Sequence, residues 1–112
     1  MHEASLARRI IEIAESRAKL HGILSVKSVK VRVGRWAGVN VDQLRRAFTQ
    51  AANAGATAGA RLDVELVEPV CRCEDCGAVF DPQRFTLRCA HCGSAKVVLR
   101  QGRELEVVGI EV

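Results

Sequence analysis

The sequence predicts an α+β fold, in which a small mixed β-sheet with two helices forms one domain and a zinc-ribbon-like domain with four paired cysteines is inserted into it. Residues 1–69 alternate between helical and strand periodicity, and residues 98–112 return to strand-like sequence, so these two stretches are assigned to the first domain. Residues 70–97 form the insert and contain all five cysteines. Because the secondary structure of this insert is too short to bury a core, we expect a metal to hold it.

The first predicted helix runs from Leu6 to Leu20. Its apolar residues form two adjacent stripes at helical spacing, and charged residues occupy the remaining surface. Gly22 ends the helix, because glycine readily adopts the left-handed conformation that follows a last helical turn. From Val26 to Arg35 the period changes to two, which predicts a half-buried strand with one face formed by Val29, Val31 and Val33.

A second helix is predicted after the glycine-bracketed loop at 34–38. Asn40 and Gln43 have the spacing of a capping pair at its start. Its buried stripe consists of Val41, Leu44, Phe48 and Ala52. Pro69 terminates a second predicted strand, whose apolar face is formed by Leu62, Val64 and Leu66. A strand, a helix and a strand in this order predict a right-handed crossover that places both strands in one sheet.

Strand-like sequence follows the insert at Val97-Val98-Leu99 and again from Leu105 to Val112. The apolar phase of the last segment slips between Val107 and Val108. We therefore expect either a β-bulge near Gly109 or a last strand that is buried on both faces.

The cysteine spacing predicts a zinc site. Two Cys-x-x-Cys pairs are separated by twelve residues, and Zn²⁺ prefers four such ligands in a tetrahedron. A glycine directly follows each pair, where the chain must curl back so that backbone N–H groups can point at sulfur. Four thiolates leave no open coordination position, so the predicted zinc is structural and not catalytic. The ligands are Cys73, Cys76, Cys89 and Cys92.

Other interpretations of the cysteines are weaker. A disulfide scaffold needs an oxidising compartment, but the cysteine count is odd and the N-terminal residues carry too many charges for a secretory segment. A thioredoxin-like motif would need one reactive pair, and this chain has two. Cys71 and His91 lie beside the pairs and are accessory candidates, since either could exchange with one of the four ligands.

His2 adjoins the N-terminal residue and is a candidate for binding a second metal. The α-amine has a pKa low enough to lose its proton to a metal at neutral pH, and imidazole is a good ligand for nickel or copper. If the intervening backbone amides also deprotonate, four nitrogens form the planar set that suits Ni(II) or Cu(II). Any chain that begins Met-His has this feature, so a disordered terminus is the alternative.

Composition and charge limit the function classes. The formal charge of +4 falls to about +2 once four thiolates and one Zn²⁺ are counted, which is little for a nucleic-acid binder. No apolar run approaches the roughly 20 residues of a membrane span. The residues offer no assembled nucleophile and base and no phosphate-binding loop. We expect a cytoplasmic protein that is not an enzyme.

Four stretches, in this order along nearly the whole chain, carry a family resemblance. They are the opening Met1-His2-Glu3-Ala4-Ser5-Leu6, the run from Val31 to Val39, the two Cys-x-x-Cys-Gly pairs, and the ending from Gly102 to Val112. Together they resemble the HypA/HybF family of hydrogenase nickel incorporation proteins. The resemblance implies a nickel metallochaperone that delivers Ni(II) for the maturation of [NiFe]-hydrogenase and, in some organisms, of urease. The first domain would then be a nickel-binding domain.

By position, the resemblance implies that the transferable Ni(II) binds to His2, to the amine of Met1 and to the backbone around Glu3. It places structural Zn(II) on the four paired cysteines. The implied partners are a HypB-type GTPase, the [NiFe]-hydrogenase large subunit and urease maturation proteins, with no nucleic acid. Cys71 and Ala90-His91 depart from the family pattern.

A zinc-ribbon module that binds nucleic acid or another protein is the alternative function. Such a module would present a basic surface with exposed aromatic residues. The insert has few basic residues, and acidic ones accompany them; the basic ones are Arg72, Arg84, Arg88 and Lys96. We expect Phe80 and Phe85 to pack under the loops.

Overall fold

The computed structural model describes residues 2–82 and 87–112, and these ranges contain two helices and six strands. In chain order they are α1 (Glu3–Leu20), β1 (Ser28–Gly34), α2 (Val41–Ala51), β2 (Arg61–Val67), β3 (Val70–Cys73), β4 (Val79–Phe80), β5 (Val97–Gln101) and β6 (Leu105–Glu111). The predicted α+β class is confirmed. Met1, assigned above to the nickel site, and Arg84 and Phe85, weighed for the ribbon, lie outside the described residues.

Helix α1 begins three residues earlier than predicted and ends as predicted. Glu3 in its first turn complements the positive end of the helix dipole. At its end Gly22 has φ 67°. The N–H of Ile23 donates to the carbonyl of Ala18 at 2.8 Å, and that of Gly22 to the carbonyl of Lys19 at 3.3 Å. These two bonds form a Schellman motif, which stops the helix and turns the chain toward β1.

The first sheet has the strand order β2-β1-β6. β1 and β2 are parallel, with Val29 opposite Leu62, and α2 connects them as the predicted crossover. β6 is antiparallel to β1, and the register of the pair shifts by one residue: Lys30 pairs with Gly109, but the next residue, Val31, pairs with Val107. Val108 is thus the extra residue of a bulge, so the prediction of a bulge near Gly109 is confirmed.

The core lies between this sheet and the two helices. The side chains of Val29, Leu44 and Phe48 are fully buried there. Three positions of the apolar faces predicted for β2 and α2 are less covered than expected. Leu66 on β2 is 41% exposed, because β2 is an edge strand with fewer neighbours. Val64 on the same strand and Val41 at the start of α2 are only half-buried.

The second sheet has the order β4-β3-β5 and carries the cysteines. Our sequence-based boundary at 97/98 assigned residues 98–101 to the first domain. They lie in β5, which runs antiparallel to β3 from Cys73 opposite Val97 to Val70 opposite Gln101. The chain therefore passes from the second sheet back to the first around Gly102 and not at residue 98. The division into two domains stays a prediction. Within the described ranges, no helix combines the length and apolar character needed to cross a membrane.

Candidate metal centres

Four cysteine sulfurs meet at one end of the second sheet. The sulfurs lie within 4.8 Å of one another, and this set consists of Cys73, Cys76, Cys89 and Cys92. The Sγ atoms of Cys73 and Cys92 are 3.6 Å apart, and those of Cys76 and Cys89 are 3.5 Å apart. A tetrahedral Zn–S₄ site with 2.3 Å bonds has sulfurs about 3.8 Å apart. The four residues predicted from the spacing are therefore brought together at a separation that fits zinc.

The two cysteine pairs sit in turns with the same hydrogen bonds. In the first turn the N–H of Gly77 donates to the carbonyl of Cys73 at 2.9 Å, and the N–H of Cys73 to the carbonyl of Ala78 at 2.9 Å. In the second turn Gly93, Cys89 and Ser94 make the equivalent bonds at 3.0 and 2.9 Å. Both glycines have positive φ, 75° and 72°, which residues with a Cβ rarely adopt.

Backbone N–H groups point at the sulfur of Cys89. The N–H groups of His91 and Cys92 lie 3.3 and 3.4 Å from it. The N–H of Cys92, and after it that of His91, outweigh burial and lower the pKa of the Cys89 thiol to about 6. The thiolate of Cys89 is thus favoured near neutral pH, as a metal ligand requires.

Cys92 shows why the cluster needs a cation. The N–H of Ser94 favours its thiolate, but hydrogen bonding with the neighbouring sulfurs, that of Cys73 foremost, raises the pKa of Cys92 to about 12. Four sulfurs this close cannot all ionise unless a positive charge sits among them. A divalent ion that prefers thiolates supplies that charge, so the donor set fits Zn(II).

Side-chain contacts outside the thiols join the two turns. The hydroxyl of Ser94 donates to the carboxylate of Asp75 and accepts a bond from the N–H of Lys96 at 3.0 Å. The carbonyl of Lys96 accepts from the N–H of Glu74 at 2.9 Å. The contact between Asp75 and Ser94 was not predictable, because no local pattern in the sequence links two residues 19 positions apart.

Cys71 and His91, the two accessory candidates, do not belong to the four-sulfur set. Cys71 is fully buried in β3, and burial, followed by the nearby Asp81, raises the pKa of its thiol. A buried protonated thiol is a poor metal ligand. His91 contributes its backbone N–H to Cys89, and its side chain is exposed.

The amino terminus is the second candidate centre. His2 is the N-cap of α1, with φ −78° and ψ 125°, and its side chain is exposed. Its carbonyl accepts the first helical hydrogen bond, from the N–H of Leu6 at 3.1 Å. The other predicted member in the described ranges, Glu3, is the first residue of the helix.

The carboxylate of Glu3 is held by a different element. It accepts a hydrogen bond from the backbone N–H of Asn40 at 3.1 Å, and this bond is the main reason that the pKa of Glu3 is lowered. Asn40 also caps α2, as predicted, by accepting from the N–H of Gln43 at 3.0 Å. The sequence indicated the cap but carried no signal for the contact with Glu3.

Comparisons of the sequence with a family profile and with curated proteins all find the same family. The sequence profile of the family described as "Hydrogenase/urease nickel incorporation, metallochaperone, hypA" matches residues 1–112. The hydrogenase maturation factor HypA of Synechococcus elongatus is 39% identical over 112 residues, which cover 100% of this chain and 99% of that protein. The factor of the same name from Chlorobaculum tepidum is 38% identical over 107 residues, covering 96% of this chain and 95% of that one.

The fold is shared with solved structures. The solution structure of the Ni metallochaperone HypA from Helicobacter pylori superposes with a TM-score of 0.70 at 26% identity, covering 99% of this chain and 97% of that one. A second solution structure of a HypA protein gives a TM-score of 0.75 at 26% identity, covering 99% and 95%. The similarity therefore extends over both sheets and both helices.

Proposed function

We propose that this chain, which belongs to the HypA family of hydrogenase/urease nickel incorporation metallochaperones, binds Ni(II) at its amino terminus and delivers it for the maturation of [NiFe]-hydrogenase or urease. The family consists of maturation factors and not of enzymes, and the chain shares that character. One observation carries the finer proposal. The exposed His2 immediately precedes α1, so its imidazole adjoins backbone amides that the helix does not use.

The proposed nickel ligands are nitrogens of the first three residues. They are the amine of Met1, the imidazole of His2, and the backbone amides of His2 and Glu3. The first N–H groups of a helix have no intrahelical acceptor, so metal binding at the Glu3 amide breaks no helical bond. The helix dipole also favours negative charge at this end, and a deprotonated amide is negative. These four nitrogens provide the planar geometry that suits Ni(II).

A chelate at the end of the chain suits transfer. Each nitrogen can be exchanged in turn for a ligand of the recipient, so nickel need not pass through water. Because amine, imidazole and amides bind nickel only after losing their protons, affinity should fall on acidification. Cu(II) would bind this ligand set more tightly than Ni(II), so selectivity has to come from metal availability or from partners.

The zinc site has a structural role in this proposal. When bound, Zn(II) links the two cysteine turns through Cys73, Cys76, Cys89 and Cys92. The exposed His91 could exchange with one of these four ligands, whereas the buried Cys71 packs in the second sheet and binds no metal in this proposal. The proposed partners are a HypB-type GTPase, the [NiFe]-hydrogenase large subunit and urease maturation proteins. We place the protein in the cytoplasm, where thiols stay reduced.

The test is elemental analysis of untagged protein given Zn²⁺ and Ni²⁺. We expect one zinc and one nickel per chain. His2→Ala, or an extension of the amino terminus by one residue, should remove the nickel and leave the zinc. His21→Ala is the matched control, because His21 is also exposed and lies at the other end of the same helix.

Retention of nickel by His2→Ala would contradict the proposed site. A complete failure of the untagged protein to bind nickel would contradict the function and favour the zinc-ribbon alternative. The comparisons give that alternative no support.

A further inference from the structure

We propose that a groove between α1 and β6 is a docking site for an acidic amphipathic helix of a partner protein. The groove has a volume of about 580 Å³. This inference is independent of the proposed nickel site, because the groove runs along the side of α1 and does not include His2.

The groove is mostly apolar, and its base is formed by core residues. Leu6 and Ile10 of α1 and Val33 of β1 form the floor and are buried in the core. The walls are half-buried side chains, Ile13 on α1 and Val107 on β6. Because β6 is the edge strand of its sheet, the groove has no further strand beside it in the described part of the chain. Its volume is in the range of roughly 300–1,000 Å³ found for binding clefts.

Two guanidinium groups line the same groove, those of Arg9 and Arg17. Neither forms an ion pair with the described residues, although Arg17 donates to the carbonyl of Val107 at 3.2 Å. The one acid in the lining, Glu106, lies 3.5 Å from Arg32, which also pairs with Glu65 at 3.6 Å, so two lining arginines face one lining carboxylate. The groove is therefore apolar with unbalanced positive charge, which selects a partner with carboxylates beside its apolar residues.

The edge of β6 favours a helix over an added strand. An incoming strand needs a regular row of free backbone groups. Here Arg17 already occupies the carbonyl of Val107, and the bulge at Val108 interrupts the row. A helix satisfies its own backbone and needs only side-chain complementarity.

The spacing of the two arginines defines the partner's pattern. Arg9 and Arg17 are eight residues apart on one helix, a rise of about 12 Å. A partner helix would place acidic residues seven or eight positions apart, with apolar residues between them at helical spacing.

The test uses a phage-displayed library of three-turn amphipathic helices, selected on untagged, zinc-loaded protein. We expect Asp or Glu to be enriched at both ends of the apolar stripe. A synthetic peptide of the selected sequence should bind Arg9→Glu at least about tenfold more weakly in fluorescence anisotropy, because a like charge replaces an attractive one. Arg9 is chosen because, unlike Arg17, it has no bond to β6 in the described structure.

Arg8→Glu is the matched control. Arg8 is exposed on another side of α1 and bonds only to Ser5 within the described ranges, so this variant should bind the peptide like wild type. A peptide with Lys in place of the one acid that faces Arg9, and with the acid facing Arg17 kept, should recover binding to Arg9→Glu. Nickel content should be unchanged in Arg9→Glu, which separates this inference from the proposed function.

Three outcomes would overturn the proposal. The first is a library without binders or without acidic preference, and the second is equal peptide binding by the two charge-reversal variants. The third is a wild-type dimer in sedimentation that Arg9→Glu dissociates, because a second copy of this chain would then occupy the groove.

Discussion

The carboxylate of Glu3 is bonded to the backbone N–H of Asn40, 3.1 Å away. Glu3 begins α1 and Asn40 caps α2, so this bond fixes the starts of both helices to each other. The side chain of Glu3 thus has a partner other than a metal, and its backbone amide is the group that we propose as a nickel ligand.

Glu3→Pro tests whether the Glu3 amide is a nickel ligand. Proline removes this N–H but is well suited to the first helical position. It also requires an extended residue before it, which His2 already is at φ −78° and ψ 125°. We expect Glu3→Pro to fold and to bind nickel more weakly, as measured by calorimetry. Loss of a group that only supports a metal ligand costs roughly 10–100-fold in affinity, and loss of a ligand should cost more.

Glu3→Gln is the matched control for that variant. Glutamine keeps the amide and removes only the carboxylate charge, so nickel stoichiometry should stay at the wild-type value. Faster hydrogen exchange at the Asn40 amide would show that the tie between the helices is weakened. Equal nickel affinity in Glu3→Pro and wild type would exclude this amide as a ligand.

Cys73→Ser and Cys71→Ala separate zinc binding from packing. Both cysteines are fully buried on β3, but only Cys73 belongs to the four-sulfur set. We expect Cys73→Ser to lose the zinc and with it the ordered turns, since the metal holds them. Cys71→Ala should keep one zinc, measured by elemental analysis, and lose about 1 kcal/mol of stability to the small cavity.

A Cys71→Ala protein without zinc would mean that Cys71 ligates the metal. A Cys73→Ser protein that keeps its full zinc affinity would mean that His91 or Cys71 replaces the lost thiolate.

Local signals in the sequence were sufficient for most elements and for the four-sulfur set. The end of α1 follows from Gly22, the bulge from the phase slip at Val108, and the four-sulfur set from spacing, because each depends on residues close in the chain. Pairing between distant segments was not predictable in the same way. The sequence of β5 is equally compatible with either sheet, and its partner β3 is more than twenty residues away.

The same limit applies to the candidate sites. Glu3 and Asn40 are 37 positions apart, and Asp75 and Ser94 are 19 apart, so no periodicity joins them. The groove also escaped prediction, because the apolar pattern of α1 does not reveal which stripe the sheet leaves uncovered. The proposed nickel ligands follow from the family resemblance alone, since Met-His by itself is a weak signal.

Gly34→Ala tests the close contact between Gly34, the last residue of β1, and Gly102. A Cβ on Gly34 would lie 2.1 Å from the backbone C and O atoms of Gly102, where the chain passes from β5 to β6. The neighbouring N–H of Trp36 donates to the carbonyl of Gly102 at 2.7 Å, so this backbone has little freedom to move. We expect a loss of about 3 kcal/mol in the free energy of unfolding, measured by urea titration.

Gly109→Ala is the matched control for this contact. A Cβ on Gly109 would meet no described atom within 4 Å, so its stability should stay within about 0.5 kcal/mol of wild type. Similar losses in the two variants would show that the cost comes from replacing a strand glycine and not from the contact with Gly102.

Glu15→Gln tests how the loop at residues 53–59 is attached to α1, and its effect should depend on pH. The carboxylate of Glu15 accepts bonds from the N–H groups of Ala56 and Thr57 at 2.8 and 3.0 Å. Burial opposes its ionisation, but these bonds, that of Thr57 first, outweigh burial and lower the pKa of Glu15. A lowered pKa in the folded state means that the stabilisation is present above the ordinary glutamate value of about 4.3 and is lost as the pH falls through the folded value.

At pH 7 we therefore expect Glu15→Gln to lower the free energy of unfolding by about 1 kcal/mol, or Tm by about 4 °C. The difference from wild type should shrink as the pH falls below about 4, since the wild-type carboxylate is then protonated. Any change of charge at the four-sulfur set with pH affects both proteins alike, so the difference between their free energies of unfolding isolates Glu15. Glu12 is exposed on the same helix, so Glu12→Gln should have the stability of wild type at every pH. If the loss of stability in Glu15→Gln were the same at every pH, the charge of Glu15 would not be its cause.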